Sequence, residues 1–255
     1  MSKKRISIIG YGNMGSAIAN ALVGIYEIKI FDPYLKNETG AFFSTKEEIE
    51  SFTDTHILCV KPKEVSTVCG YFKKPSVVLS IAAGVSYDIL KAKLPHGSKV
   101  ARLMPNLALV VKESATGIFG DEEAVELSKE IFSLLGKTTV LGDEKLMDAF
   151  TGLSGSGPAY VFSFIQALAE GGVLSGLPYD DALELAVQTL RGSVEYFTKE
   201  KKSTPQLHPS TLRNKVTSPG GTTIAGLKVL EENGFHGIVM KAVEAAAKRS
   251  KELGG

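Results

Sequence analysis

Short apolar runs alternate with helical patterns through the first half of the chain. Arg5-Ile6-Ser7-Ile8-Ile9 predicts a strand, and the Ala- and Ile-rich stretch 14–23 predicts a helix. Further strands are expected at 28–31, 57–60, 77–81 and 100–104, with a helix beginning near residue 63. Two β-rich runs follow at 116–119 and 138–141. Between them Val125, Ser128, Phe132 and Leu135 share one helical face. Strands alternating with helices imply parallel, right-handed crossovers and a doubly wound α/β sheet. After Gly142 the strand signal stops. Leu183, Val187, Leu190, Val194 and Phe197 recur at spacings of four and three, which predicts an amphipathic helix. A last helix is expected over 241–250, where Ala242, Ala245 and Ala246 permit close helix contact. The organisation expected is a sheet domain over 1–142 and an all-helical domain over 143–255.

Composition narrows the function classes. A net charge of +1, with no long basic stripe, gives no basis for nucleic-acid binding. The cluster Lys199, Lys201, Lys202 reads as a solvated helix end. Cys59 and Cys69 form no Cys-x-x-Cys pair, which fits a reducing compartment. The opening is too short and polar for a signal peptide, and no run of about 18 apolar residues occurs. A cytoplasmic location without membrane contact is therefore expected. The four histidines have no metal-binding spacing, so no metal is expected.

Gly10-Tyr11-Gly12-Asn13-Met14-Gly15 matches G-x-G-x-x-G between a predicted strand and a predicted helix. Gly10 permits the tight turn, Gly12 lets a pyrophosphate approach, and Gly15 lets helix and strand pack closely. The helix N-terminus supplies free N–H groups and a favourable dipole for the phosphates. Asp32 closes the second strand near the distance at which an acid meets the adenosine ribose, a reading that leans toward NADH. Alternatively, Asp32-Pro33 forms a turn. The nearby cations are Lys29 and Lys36, with no arginine beside them. Val60-Lys61-Pro62-Lys63 and Ala82-Ala83-Gly84 follow strand ends on the ligand-binding edge of such a sheet. Lys61 reads equally as a cofactor contact and as a surface lysine.

Two segments of the second half need separate reasons. Gly152-Leu153-Ser154-Gly155-Ser156-Gly157-Pro158 implies either a close backbone approach or a kinked connection. Ser218-Pro219-Gly220-Gly221-Thr222-Thr223 opens a predicted helix. It reads as an ordinary cap or as a carboxylate site built from backbone N–H groups and hydroxyls.

The stretches DAFTGLSGSGPAY (148–160) and KVTSPGGTTIAGLKVL (215–230) resemble the central and C-terminal signatures of the pyrroline-5-carboxylate reductase family. IIGYGNMG, VKP, AAG and RLMPN fall in that family's order, so the resemblance spans essentially the whole chain. It implies a Rossmann domain followed by a helical dimerisation domain. It also implies homodimers that assemble into rings, commonly decamers, with the active site between the cofactor domain of one subunit and helices of its partner. NADPH or NADH would meet Ile9, Gly10, Tyr11, Gly12, Asn13 and Met14, then Cys59, Val60, Lys61 and Pro62, with Asp32 at the ribose. The substrate would meet Ser218, Gly220, Gly221, Thr222 and Thr223, which favours the carboxylate reading there.

The implied reaction is hydride transfer to C5 of 1-pyrroline-5-carboxylate, giving L-proline. Thr223 is the candidate for the catalytic hydrogen bond to the ring nitrogen. One departure stands out: Asn106 is followed by Leu107-Ala108, where the family commonly has Thr-Pro. This puts the local loop shape in question. The rival enzyme reading is a 3-hydroxyacid dehydrogenase, which would want a helical lysine that the 155–158 region lacks. A non-catalytic cofactor-binding regulator is the reading from another class.

Overall fold

The computed structural model describes residues 3–35 and 44–254. Its sheet contains β1 (Arg5–Ile9), β2 (Glu27–Phe31), β3 (Thr55–Leu58), β4 (Val77–Ser80), β5 (Lys99–Met104), β6 (Ser114–Gly120) and β7 (Gly136–Val140). The strand order is β2-β1-β3-β4-β5-β6-β7. The first five strands in this order pair in parallel, as do β6 and β7. The β5–β6 pair is antiparallel, a departure from the all-parallel expectation. The cause is chain length: residues 105–113 are too few for a crossover of a dozen or more residues, so the chain turns back beside β5.

Both faces of the sheet are covered. α1 (Asn13–Leu22) and α5 (Glu122–Phe132) pack Ile18, Leu22, Ile131 and Phe132 against Ile8, Ile57 and Leu79. On the other face α3 (Pro62–Cys69) and α4 (Tyr87–Lys93) bring Val65, Val68 and Leu90 to Ile9, Leu58 and Val78. Neighbours such as Ile8 and Ile9 thus enter different cores, because successive strand side chains point to opposite faces. That explains the continuous apolar runs. α2 (Lys46–Phe52), absent from the expected elements, carries a legible start signal: Thr45 and Glu48 form a reciprocal capping box.

Helices follow β7: α6 (Leu146–Phe150), α7 (Gly157–Leu174), α8 (Tyr179–Ser203), α9 (Pro209–Lys215), α10 (Thr222–Glu232) and α11 (Phe235–Leu253). The chain divides into two compact units, one comprising Met1–Pro158 with Val243–Gly255 and the other Ala159–Ala242. Compactness therefore divides the chain later than the strand pattern does, and the end of α11 belongs with the sheet.

The helical unit buries little of its own. Its core among the described residues is Ala169, Ala182 and Ala186. The expected apolar face of α8 exists, yet Val187 and Val194 are exposed at 45% and 63%. Phe162, Leu174 and Met240 are also exposed. Hydrophobic stripes of this extent lie uncovered in a single copy of the chain.

Candidate active site

The glycine loop joins β1 to α1, and each glycine has a distinct reason. Gly10 has φ 98°, and a Cβ there would lie 2.8 Å from the Cys59 carbonyl group. At Gly15 a Cβ would come within 2.0 Å of the Gly10 carbonyl oxygen. At Gly12 a Cβ would meet nothing within 4 Å. The chain itself thus requires the first and third glycines. The second leaves open space against a helix N-terminus, which is the cradle a pyrophosphate needs. Gly12 is also the N-cap of α1, no side chain caps it, and no acid lies in the first turn. The residues present therefore fit a dinucleotide.

A cavity of about 500 Å³ is lined by Gly10, Tyr11, Gly12, Asp32, Cys59, Val60 and Lys61. Pro33, Tyr34, Leu35, Lys63 and Glu64 complete its wall. Of the residues expected at the cofactor, Ile9, Asn13, Met14 and Pro62 are not in this lining. Ile9 is buried in the sheet and Pro62 occupies the first turn of α3. Lys36 lies outside the described residues.

Both readings of Asp32 have a structural counterpart. Its Oδ1 accepts from the Tyr34 amide at 2.8 Å, closing a turn across Pro33. Its Oδ2 accepts from the Tyr11 amide at 2.7 Å, bracing the glycine loop. A carboxylate has about four acceptor positions, so both oxygens retain capacity for a ribose hydroxyl. The Tyr34 hydroxyl donates to Glu64 Oε1 at 2.9 Å. The Glu64 carboxylate, and then Asp32, hold its phenol above the ordinary tyrosine range. Burial pushes the Cys59 thiol well up, so it stays protonated. Lys63 belongs to the loop the sequence singles out, whereas Tyr34 and Glu64 are not singled out by it. Glu64 directly follows Val60-Lys61-Pro62-Lys63, so that loop carries its signal.

After β5, the Asn106 side chain holds the loop that carries Leu107-Ala108. Its Oδ1 accepts from the Ala108 amide at 3.1 Å and starts a 3₁₀ turn over Leu107–Val111. Its Nδ2 donates to the Ser154 carbonyl oxygen at 3.2 Å and lies 3.3 Å from the Ser154 hydroxyl. The glycine-rich stretch after α6 forms a π turn, Thr151–Gly155. Gly152 there approaches the α11 backbone closely, which answers the question its glycines raised: a Cβ would lie 2.6 Å from the Val243 carbonyl oxygen.

In the helical unit, the Gly221 amide donates to the Ser218 carbonyl oxygen at 3.1 Å, and Gly220 has φ 65°. Gly221 is the N-cap of α10 and brings no capping side chain. Its first-turn N–H groups thus have no side-chain acceptor at the cap. Ser218 and Thr222 are exposed and Thr223 is half-buried.

His56 is a core residue, as its position in a strand suggests. It is fully buried, its Nδ1 lies 2.6 Å from the Ser7 hydroxyl, and burial lowers its pKa to about 4. No group of three or more potential metal ligands occurs among the described residues. Among them, no helix is long and apolar enough to cross a membrane.

Comparison with known proteins agrees with this geometry. A family model described as pyrroline-5-carboxylate reductase dimerisation matches residues 144–253. One described as NADP oxidoreductase coenzyme F420-dependent matches residues 5–84. The pyrroline-5-carboxylate reductase of Methanosarcina acetivorans is 40% identical over 100% of this chain and 99% of its own. That of Aquifex aeolicus is 39% identical, covering 98% and 97%. Among solved structures, Plasmodium falciparum pyrroline carboxylate reductase with NADP bound superposes with a TM-score of 0.84. It is 32% identical and both chains are fully covered. The Coxiella burnetii pyrroline-5-carboxylate reductase gives 0.86 at 30% identity, covering 99% of each chain.

Proposed function

This chain belongs to the pyrroline-5-carboxylate reductase family, and from that premise we infer that it reduces 1-pyrroline-5-carboxylate to L-proline, the last step of proline synthesis. It is an oxidoreductase acting on a C=N bond with NADPH or NADH as cofactor. The observation that carries the reading is that the chain holds an open glycine cradle at α1 and, in its helical unit, an uncapped Gly-Gly-Thr-Thr start at α10.

When bound, the reduced nicotinamide supplies the hydride. The chain's own part is binding and orientation. The N–H groups at the start of α1 hold the pyrophosphate, Asp32 accepts from the adenosine ribose, and Lys61 neutralises phosphate charge. Ile9, Tyr11, Asn13, Met14, Cys59, Val60 and Pro62 shape the loops around these groups. The substrate carboxylate rests on the N–H groups of Thr222 and Thr223, with Ser218, Gly220 and Gly221 forming the turn that presents them. The Thr223 hydroxyl hydrogen-bonds the ring nitrogen. A protonated imine is already electrophilic, so positioning does most of the work, up to about 7–11 kcal/mol in favourable cases.

The functional division we propose follows residues 1–142 for the cofactor and 143–255 for substrate binding and dimerisation. The uncovered stripes of the helical unit support a homodimer, since a second copy supplies apolar surface of matching kind. Assembly of such dimers into a decameric ring and a cytoplasmic location belong to the same reading. Purified protein given 1-pyrroline-5-carboxylate and each cofactor should oxidise it at 340 nm and form proline in equal amount. Cofactor binding without proline formation would overturn the assignment. Thr223→Ala should lower kcat/KM by roughly 10- to 1000-fold, or about 1.4–4 kcal/mol.

A further inference from the structure

Tyr34 is bonded at both ends to carboxylates in the cofactor cavity. Its amide donates to Asp32 Oδ1 at 2.8 Å, and its hydroxyl donates to Glu64 Oε1 at 2.9 Å. Asp32 ends β2 and is fixed a second time by the Tyr11 amide at 2.7 Å. Glu64 sits in the first turn of α3, beside the N-cap Lys61. All three side chains line the same cavity. Two anchored negative charges therefore stand on the wall where the second strand of a dinucleotide-binding sheet meets the adenosine ribose.

Lysines 61 and 63 line the cavity as well, but both are exposed. A solvated, flexible ammonium offsets a charge less than a fixed carboxylate in contact opposes it. A ribose 2′-hydroxyl donates a hydrogen bond to a carboxylate. A 2′-phosphate offers only acceptor oxygens and close to two negative charges. We propose that Glu64, held by Tyr34, is a second specificity-determining carboxylate beside Asp32, and that the pair selects a dinucleotide with a free 2′-hydroxyl, NADH. The Tyr34 bridge couples the two acids, so that loosening either end relaxes the discrimination. This rests on the cofactor reading above but does not depend on which imine is reduced.

The test is fluorescence titration of the intact protein with NADH and NADPH, run beside kcat/KM for each. Wild type should bind NADH more tightly than NADPH, the direction an acid at this position implies. Glu64→Gln should raise the NADPH-to-NADH affinity ratio by roughly two- to fivefold, the scale of one partly solvated charge interaction. Tyr34→Phe, which frees Glu64 without removing its charge, should move the ratio the same way by less. Asp32→Asn should move it most. A wild-type preference for NADPH would overturn the proposal, as would Glu64→Gln and Tyr34→Phe variants that leave the ratio unmoved. Selective NADH binding with no proline formed would sustain this inference while removing the imine-reductase assignment.

Discussion

Replacing Gly152 with alanine probes the closest backbone contact in the glycine-rich turn. The added Cβ would sit 2.6 Å from the Val243 carbonyl oxygen, 2.8 Å from the Ala247 nitrogen and 3.1 Å from the Ala247 Cβ. Two of these three atoms are backbone, so no rotamer change relieves the contact. Either α11 or the π turn must move by about half an ångström or more to restore ordinary van der Waals distances. Overpacking of this kind costs about 1–3 kcal/mol, and rigid backbone on both sides places the cost at the upper end. Alanine returns at most about 1 kcal/mol through its better helical propensity. The net expectation is a loss of about 1–2 kcal/mol, which lowers Tm by roughly 2–8 °C for a chain of this size. The assay is thermal unfolding at fixed protein concentration, because an oligomer's Tm depends on concentration. Gly142→Ala is the control: a Cβ there would meet nothing within 4 Å, so its Tm should stay close to wild type. Equal Tm values for the Gly152→Ala protein and wild type would refute the claim that this glycine exists for the approach of α11.

Other outcomes follow from single groups. His56 is buried with its pKa lowered to about 4 from 6.5, so the folded state binds fewer protons than the unfolded chain. Its stability contribution is whole above pH 6.5 and falls as pH drops toward 4, by about 3 kcal/mol in all. A His56→Gln protein should show a flatter Tm-against-pH curve across that window, and parallel curves would contradict this. Asn106→Ala removes the 3₁₀ cap and the bond to Ser154. It should cost about 1–2 kcal/mol in urea unfolding, while an unchanged midpoint would mean that the loop after β5 is held by other contacts. Cys69 is fully buried, and burial raises its thiol to about 11. Alkylation of Cys69 at pH 8 should therefore be at least about tenfold slower in the native than in the denatured protein, and equal rates would show that this thiol is not shielded.

The sheet was legible because its signals are local. Ile8-Ile9 and Val78-Leu79 fill opposite cores, and a strand buried on both faces leaves an unbroken apolar run. The glycine fingerprint was legible for the same reason, since turn, helix start and packing constraint lie within six residues. The capping box at Thr45–Glu48 is an equally local signal. The reversal at β6 was implicit in the shortness of 105–113, a constraint of chain length rather than of residue type. Other features have no periodicity to betray them. Asp32 joins the Tyr11 and Tyr34 amides, Tyr34 reaches Glu64, Asn106 meets Ser154, and Gly152 admits α11. Each depends on segments that only folding brings together. The α8 stripe shows the division most clearly: the sequence determines that one face is apolar, but how much of it is covered is decided by tertiary and quaternary packing, because hydrophobic burial needs a partner surface and the described residues of one chain leave Val187 and Val194 exposed.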